Sequence, residues 1–96
     1  MELISLEKSK RKGKRFVITF NNPRKTIHFG SDVGQTYIDH HDKVKRTNYL
    51  ARHIVNEDWS SVNAGSLSRF LLWGSSRDID KNLEKYLDRF NISRPY

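Results

Sequence analysis

Tyr49–Trp73 reads YLARHIVNEDWSSVNAGSLSRFLLW, and the fold turns on how this stretch divides. The spacing predicts the end of one helix, a polar turn at Asn56-Glu57-Asp58-Trp59, and a second helix over about Ala64–Trp73. Asn63 is a good cap for that second helix, because its side chain can accept a backbone N–H of the first turn. Leu67, Phe70 and Leu71 form its expected inward face. Both tryptophans, Trp59 and Trp73, lie here, and a buried indole removes more apolar area from water than any other side chain. The helix-turn-helix corner is therefore expected to be the packing centre.

Upstream, a helical pattern runs from Lys43 to Val55, with Asp42 as its cap. Val44, Leu50, Ala51, Ile54 and Val55 make its expected inward face. Lys45, Arg46, Tyr49, Arg52 and His53 are expected on the other side. Further back, Phe16–Phe20 (FVITF) is wholly β-branched or aromatic, which is a strand signal. Asn21-Asn22-Pro23-Arg24 supplies turn chemistry, and Lys25–Phe29 (KTIHF) alternates as a half-buried return strand. Gly30–Gly34 ends it, and Gln35–Ile38 (QTYI) reads as a third short strand.

Downstream, Gly74-Ser75-Ser76 stops the second helix. Asp78–Phe90 then shows the cleanest helical period, with Ile79, Leu83, Tyr86, Leu87 and Phe90 on one face. Its early Asp78 and Asp80 and later Lys85 and Arg89 suit the helix dipole. The fold class is α+β: an N-terminal β-hairpin, three short strands if Gln35–Ile38 pairs, packed on three helices.

Ninety-six residues predict one small domain with one core. Eleven aromatic side chains argue against disorder, while the absence of cysteine excludes disulfides and thiolate metal sites. No apolar run approaches the roughly 20 residues that span a bilayer, and MELISLEKSK has its charged and apolar parts in the wrong order for a secretory signal. The expectation is a chain neither exported nor inserted in a membrane.

Charge is unevenly spread. Residues 1–53 hold 12 Lys/Arg against 5 Asp/Glu, whereas residues 54–96 hold 6 of each, so the whole surplus of +7 lies in the first half. Such asymmetry points to a polyanionic or acidic partner at one end. Met1–Leu6 reads as either an arm or an edge strand. Lys8–Arg15 (KSKRKGKR) is expected to be exposed and flexible, because like charges repel and Ser9 and Gly13 favour no regular element. The organisation is thus a basic arm at 1–15, one compact domain at 16–90 and a tail at 91–96, where Pro95 discourages further helix.

The candidate binding residues are Lys8, Lys10, Arg11, Lys12, Lys14 and Arg15 in the arm, with Arg46, Tyr49, Arg52 and His53 on the helix. Clustered cations release counterions from a phosphate backbone, giving affinity that is sequence-independent and salt-sensitive. The blander reading of the arm is a solvated tail, and of the helix an ordinary exposed face. His28, His40, His41 and His53 match no metal-ligand spacing. Glu57 and Asp58 sit where capping and salt-bridging are the usual roles, and no nucleophile elbow or phosphate-cradling loop is present. The expectation is no catalysis, no metal, no cofactor and no small-molecule substrate.

Thr26–Gly30 (TIHFG), Tyr37–Asp42 (YIDHHD), Tyr49–His53 (YLARH), Glu57–Trp59 (EDW) and Ala64–Trp73 (AGSLSRFLLW) form a combination. Together they resemble small proteins of uncharacterised function encoded by large nucleocytoplasmic DNA viruses, in chlorella-type, mimivirus-like and iridovirus-like groups. The likeness covers about residues 16–73 and departs from the pattern at a short Val33-Gly34-Gln35 loop. It implies a viral setting and brings no catalytic residue with it. On that footing the first expectation is a non-catalytic virion structural protein, a minor capsid or accessory component binding neighbouring viral proteins. The second is a sequence-independent nucleic-acid-binding protein using the basic arm and the Arg46/Arg52 face. Either would be found in the virion, and in host cytoplasm or nucleus during infection.

Overall fold

Sheet first, helices after: the computed structural model describes residues 1–94 as β1 (Glu2–Lys8), β2 (Lys14–Asn21), β3 (Lys25–Ser31), α1 (Tyr37–His40), α2 (Lys43–His53), α3 (Ala64–Leu67) and α4 (Ile79–Arg89). Ser68–Leu72 continues α3 as a π-helical turn, closed by Trp73 N–H donating to the Ser68 carbonyl at 3.1 Å. The three strands form an antiparallel sheet in the order β1-β2-β3, so the α+β class holds.

The third strand is β1 rather than Gln35–Ile38. Leu3 pairs with Phe20 and Leu6 with Ile18, while the register slips between Leu3 and Ser5. That irregularity puts residues three apart on one face and erases the period of two that marks a strand. Lys8–Arg15 is accordingly no free arm: it ends β1, forms a hairpin turn and starts β2. Gln35–Ile38 instead leads into α1. Thr36 caps it, accepting from Asp39 N–H while the Asp39 carboxylate accepts from Thr36 N–H at 2.8 Å, a capping box.

Leu3, Ile18, Phe20 and Phe29 on the inner sheet face are buried with Leu67, Leu71 and Leu72 of the π-turn helix and Leu83, Tyr86 and Leu87 of α4. Each such apolar side chain contributes roughly 1.5–3 kcal/mol by leaving water. The α4 face is the one its periodicity predicts. Gly74 is wedged in: a Cβ there would lie 2.2 Å from the Phe70 carbonyl and 2.7 Å from Asn82. The chain after α4 is not a loose tail up to Arg94. Ile92 is buried, and Ser93 bridges to the start of β1 through Leu3 N–H to Ser93 O (2.8 Å) and Ser93 N–H to Met1 O (3.0 Å). The expectation about Pro95 lies outside the described residues.

Helix α2 is turned over relative to expectation. Tyr49 faces the core at 8% exposure, whereas Val44 (69%), Ile54 (60%) and Val55 (76%) face solvent, with Ala51 also exposed. A tyrosine ring buries far more apolar area than alanine or valine, so packing Tyr49 decides the orientation. Asp42 caps the helix as expected, accepting from Val44 and Lys45 N–H. The corner after it is only partly a packing centre. Trp73 is buried, but Trp59 is only partly buried, its indole N–H donating to Glu57 at 3.0 Å and the Arg69 guanidinium lying 5.2 Å over its ring.

Candidate nucleic-acid interface

The β1–β2 hairpin presents its cations from a tied turn. Ser9 N–H donates to Arg15 O (3.0 Å) and Lys14 N–H to Arg11 O (3.1 Å). Gly13, at φ +84°, takes the left-handed conformation that the reversal requires. Its N–H donates to the Asp32 carboxylate at 3.2 Å, and Asp32 N–H returns to Gly13 O at 3.3 Å. Ser9 Oγ also lies 2.7 Å from His28 Nδ1, fastening the turn to β3.

Lys8, Lys10, Arg11, Lys12 and Lys14 are all exposed, and none forms an ion pair among the described residues. Their field reaches His28, whose imidazole is held below its ordinary value of 6.5, first by burial and then by Arg11 and Lys14. An open concavity of about 550 Å³ runs between these residues and Ser31, Gly34 and Gln35. Uncompensated positive charge on a fixed turn is the arrangement that attracts phosphates.

Arg15 serves the fold instead. Its guanidinium grips Asp39 with two parallel bonds of 2.7 and 2.8 Å and donates to Thr36 Oγ1 at 3.2 Å. The Arg15 guanidinium, with the Thr36 amide and hydroxyl behind it, holds the Asp39 carboxyl well below its usual 3.8. A carboxyl depressed in the folded state stabilises above its unfolded value and loses that contribution as pH falls through the folded one. Asp39→Asn is expected to cost about 1–2 kcal/mol near pH 7. In urea titrations the gap to the parent protein should persist from neutral pH to just above 3.8 and close below it.

Three of the four expected helix-face residues are also occupied. Arg46 Nε donates to the Trp73 and Gly74 carbonyls at 3.0 and 3.1 Å. Tyr49 stacks on Trp73 with centroids 4.2 Å apart and planes within 5°, and burial pushes its hydroxyl up to about 12. His53 stacks on the other face of Tyr49 at 4.1 Å and pairs through Nδ1 with Glu57. With His40 at 5.3 Å from Trp73, the four rings form one column, His40–Trp73–Tyr49–His53. Arg52 alone remains exposed as expected.

Beside the column lies a cleft of about 450 Å³, lined by Tyr49, His53, Glu57, Gly65, Ser68 and Trp73. His53 and Glu57 are its ionisable pair, and among the described residues no hydroxyl hydrogen-bonds to His53. Asp58 is spent locally, accepting from Ser60 and Ser61. The described residues contain no cluster of His, Asp or Glu that would hold a metal ion, and no helix long and apolar enough to cross a membrane.

One family matches residues 4–53, just over half of the chain and the part that holds the hairpin tip, α1 and α2. The chain belongs to DUF5754, a family of unknown function. No curated protein and no solved structure matches it. Within this DUF5754 chain the matched stretch includes all five free tip cations, whereas Trp73, the second ring of the column, lies beyond it. The tip cations were legible as a charge run. Their rigid presentation was not, since Gly13 and Asp32 close the turn across 19 positions of sequence.

Proposed function

We propose that this chain is a non-catalytic, sequence-independent nucleic-acid-binding protein that works through the β1–β2 hairpin tip, in the particle of a large nucleocytoplasmic DNA virus. The observation that carries the reading is the set of five exposed tip cations without carboxylate partners among the described residues. Counterion release from phosphates is favoured by such a set whatever the base sequence. The viral setting rests on the resemblance of the TIHFG, YIDHHD, YLARH, EDW and AGSLSRFLLW stretches, and with it the virion and infected host cytoplasm or nucleus as location. Fluorescence anisotropy with two unrelated duplexes tests the binding. Equal affinities for both, lost when Lys8, Lys10, Arg11, Lys12 and Lys14 become glutamine, are expected; undiminished binding by that variant overturns the reading.

A second reading has its own observation. Val44 and Ala51 on α2, with Ile54 and Val55 just past its end, form an exposed apolar stripe, which suits a minor capsid or accessory protein bound to viral protein neighbours. On that reading the chain stays with emptied shells when particles are fractionated, and Val55→Lys detaches it. On the first it leaves with the genome.

A further inference from the structure

Away from the hairpin tip, α2, the π-turn and α4 enclose a cleft of about 530 Å³. Four cations line it (Arg46, Arg69, Lys85 and Arg89), against one carboxylate, Asp88. None of the five is in an ion pair among the described residues. Part of this charge has an ordinary use at the end of a helix, where cations meet free carbonyls. Arg46 Nε and Arg69 Nη1 both donate to Trp73 O, the latter at 3.2 Å, and Lys85 Nζ donates to Ser75 Oγ at 2.9 Å. That use fixes the two arginines without exhausting them.

The surplus of donors is specific. Arg69 Nε is buried and has no acceptor among the described residues, although a buried N–H left unpaired is costly. Arg89 lies 4.2 Å over the Phe70 ring and Arg69 4.7 Å over it, which brings both guanidinium groups to one aromatic platform. Burial, followed by the charges of Arg46 and Arg89, holds the Arg69 guanidinium below its ordinary value. Like charges gathered over a partly desolvated floor, with an unmet N–H among them, are what an anion would relieve. Guanidinium groups match the tetrahedral oxygens of phosphate in both charge and geometry.

We infer that the cleft between α2, the π-turn and α4 is a phosphate-group binding site, held by Arg46, Arg69 and Arg89 with Lys85 at its rim. It goes beyond the hairpin-tip reading and uses none of the tip residues.

The full chain is titrated with inorganic phosphate against sodium chloride of matched ionic strength, following the Arg69 Nε–Hε resonance by NMR. The expected result is a saturable downfield shift with phosphate and none with chloride. Arg89→Gln, a change at an exposed position, should weaken the half-saturation concentration about tenfold, the value of one charged hydrogen bond. The five-fold tip variant should leave it unchanged, which separates failure of this site from failure of the tip. A shift that grows without saturating, or one equal in the Arg89→Gln protein, overturns the site. A duplex lacking terminal phosphates identifies the source. Displacement of the inorganic ion assigns a nucleic-acid phosphodiester; no displacement, with a nucleoside monophosphate still competing, assigns a small phosphomonoester.

Discussion

Trp73→Ala is expected to lower the free energy of unfolding by about 3–5 kcal/mol, the range for deleting a buried aromatic side chain. Trp73 is only 9% exposed and lies between His40 and Tyr49 in the ring column. Losing the indole removes the stack on Tyr49 and the tilted contact with His40 at once, and these neighbours are tied to different elements, α2 and α1. Small domains are stable by only about 5–15 kcal/mol, so a large part of the total would go. Trp59→Ala supplies the contrast. That ring is only partly buried, against Glu57 and Arg69, so about 1 kcal/mol is expected. Urea midpoints followed by far-ultraviolet circular dichroism should separate the two variants clearly. Equal midpoints would mean that the column is not what joins α2 to the rest.

Where side-chain period and local chemistry agreed, the chain could be read directly. Phe16–Phe20 and Lys25–Phe29 lie in paired strands, Ile79, Leu83, Tyr86 and Leu87 face the core, and Asp42 and Asn63 cap their helices. Reading failed where one signal masked another. In β1 the bulge hides the alternation, and the charges of Lys8–Arg15 suggest disorder although strand pairing flanks them. At Tyr37–His40 the β-favouring residues Thr36, Tyr37 and Ile38 outweigh a short capping box, Thr36-Tyr37-Ile38-Asp39, which was visible and would have identified α1. In α2, aliphatic patterning favours Val44 and Ile54 for the core, but Tyr49 has the larger ring to bury and Arg46 has two carbonyls to satisfy. The candidate site divides in the same way. Lys8–Lys14 is a local feature and is legible, whereas gathering Arg46, Arg69 and Arg89 needs three helical segments to meet.

Neutralising Lys8, Lys10, Arg11, Lys12 and Lys14 together is expected to have the largest effect on binding. If all five meet phosphates, the slope of log affinity against log salt is about −0.9 per contact, or roughly −4.5 in total. Between about 50 and 200 mM salt the parent protein should then lose roughly 500-fold in affinity for duplex DNA. The variant should bind weakly at low salt and lose little more as salt rises. Its fold should survive, because the five side chains are exposed and the turn is closed by Ser9, Gly13, Arg15 and Asp32. Arg46→Gln tests the discarded helix face. Its cost should fall on stability, through the lost Trp73 and Gly74 carbonyl bonds.

The decisive measurement is the salt dependence of duplex binding for the parent chain and the five-glutamine variant, side by side. A steep negative slope near −4 to −5 that collapses towards zero in the variant is the result expected of phosphates held on the hairpin tip. A shallow slope in the parent, or an equally steep one in both proteins, would place the contact elsewhere and contradict it.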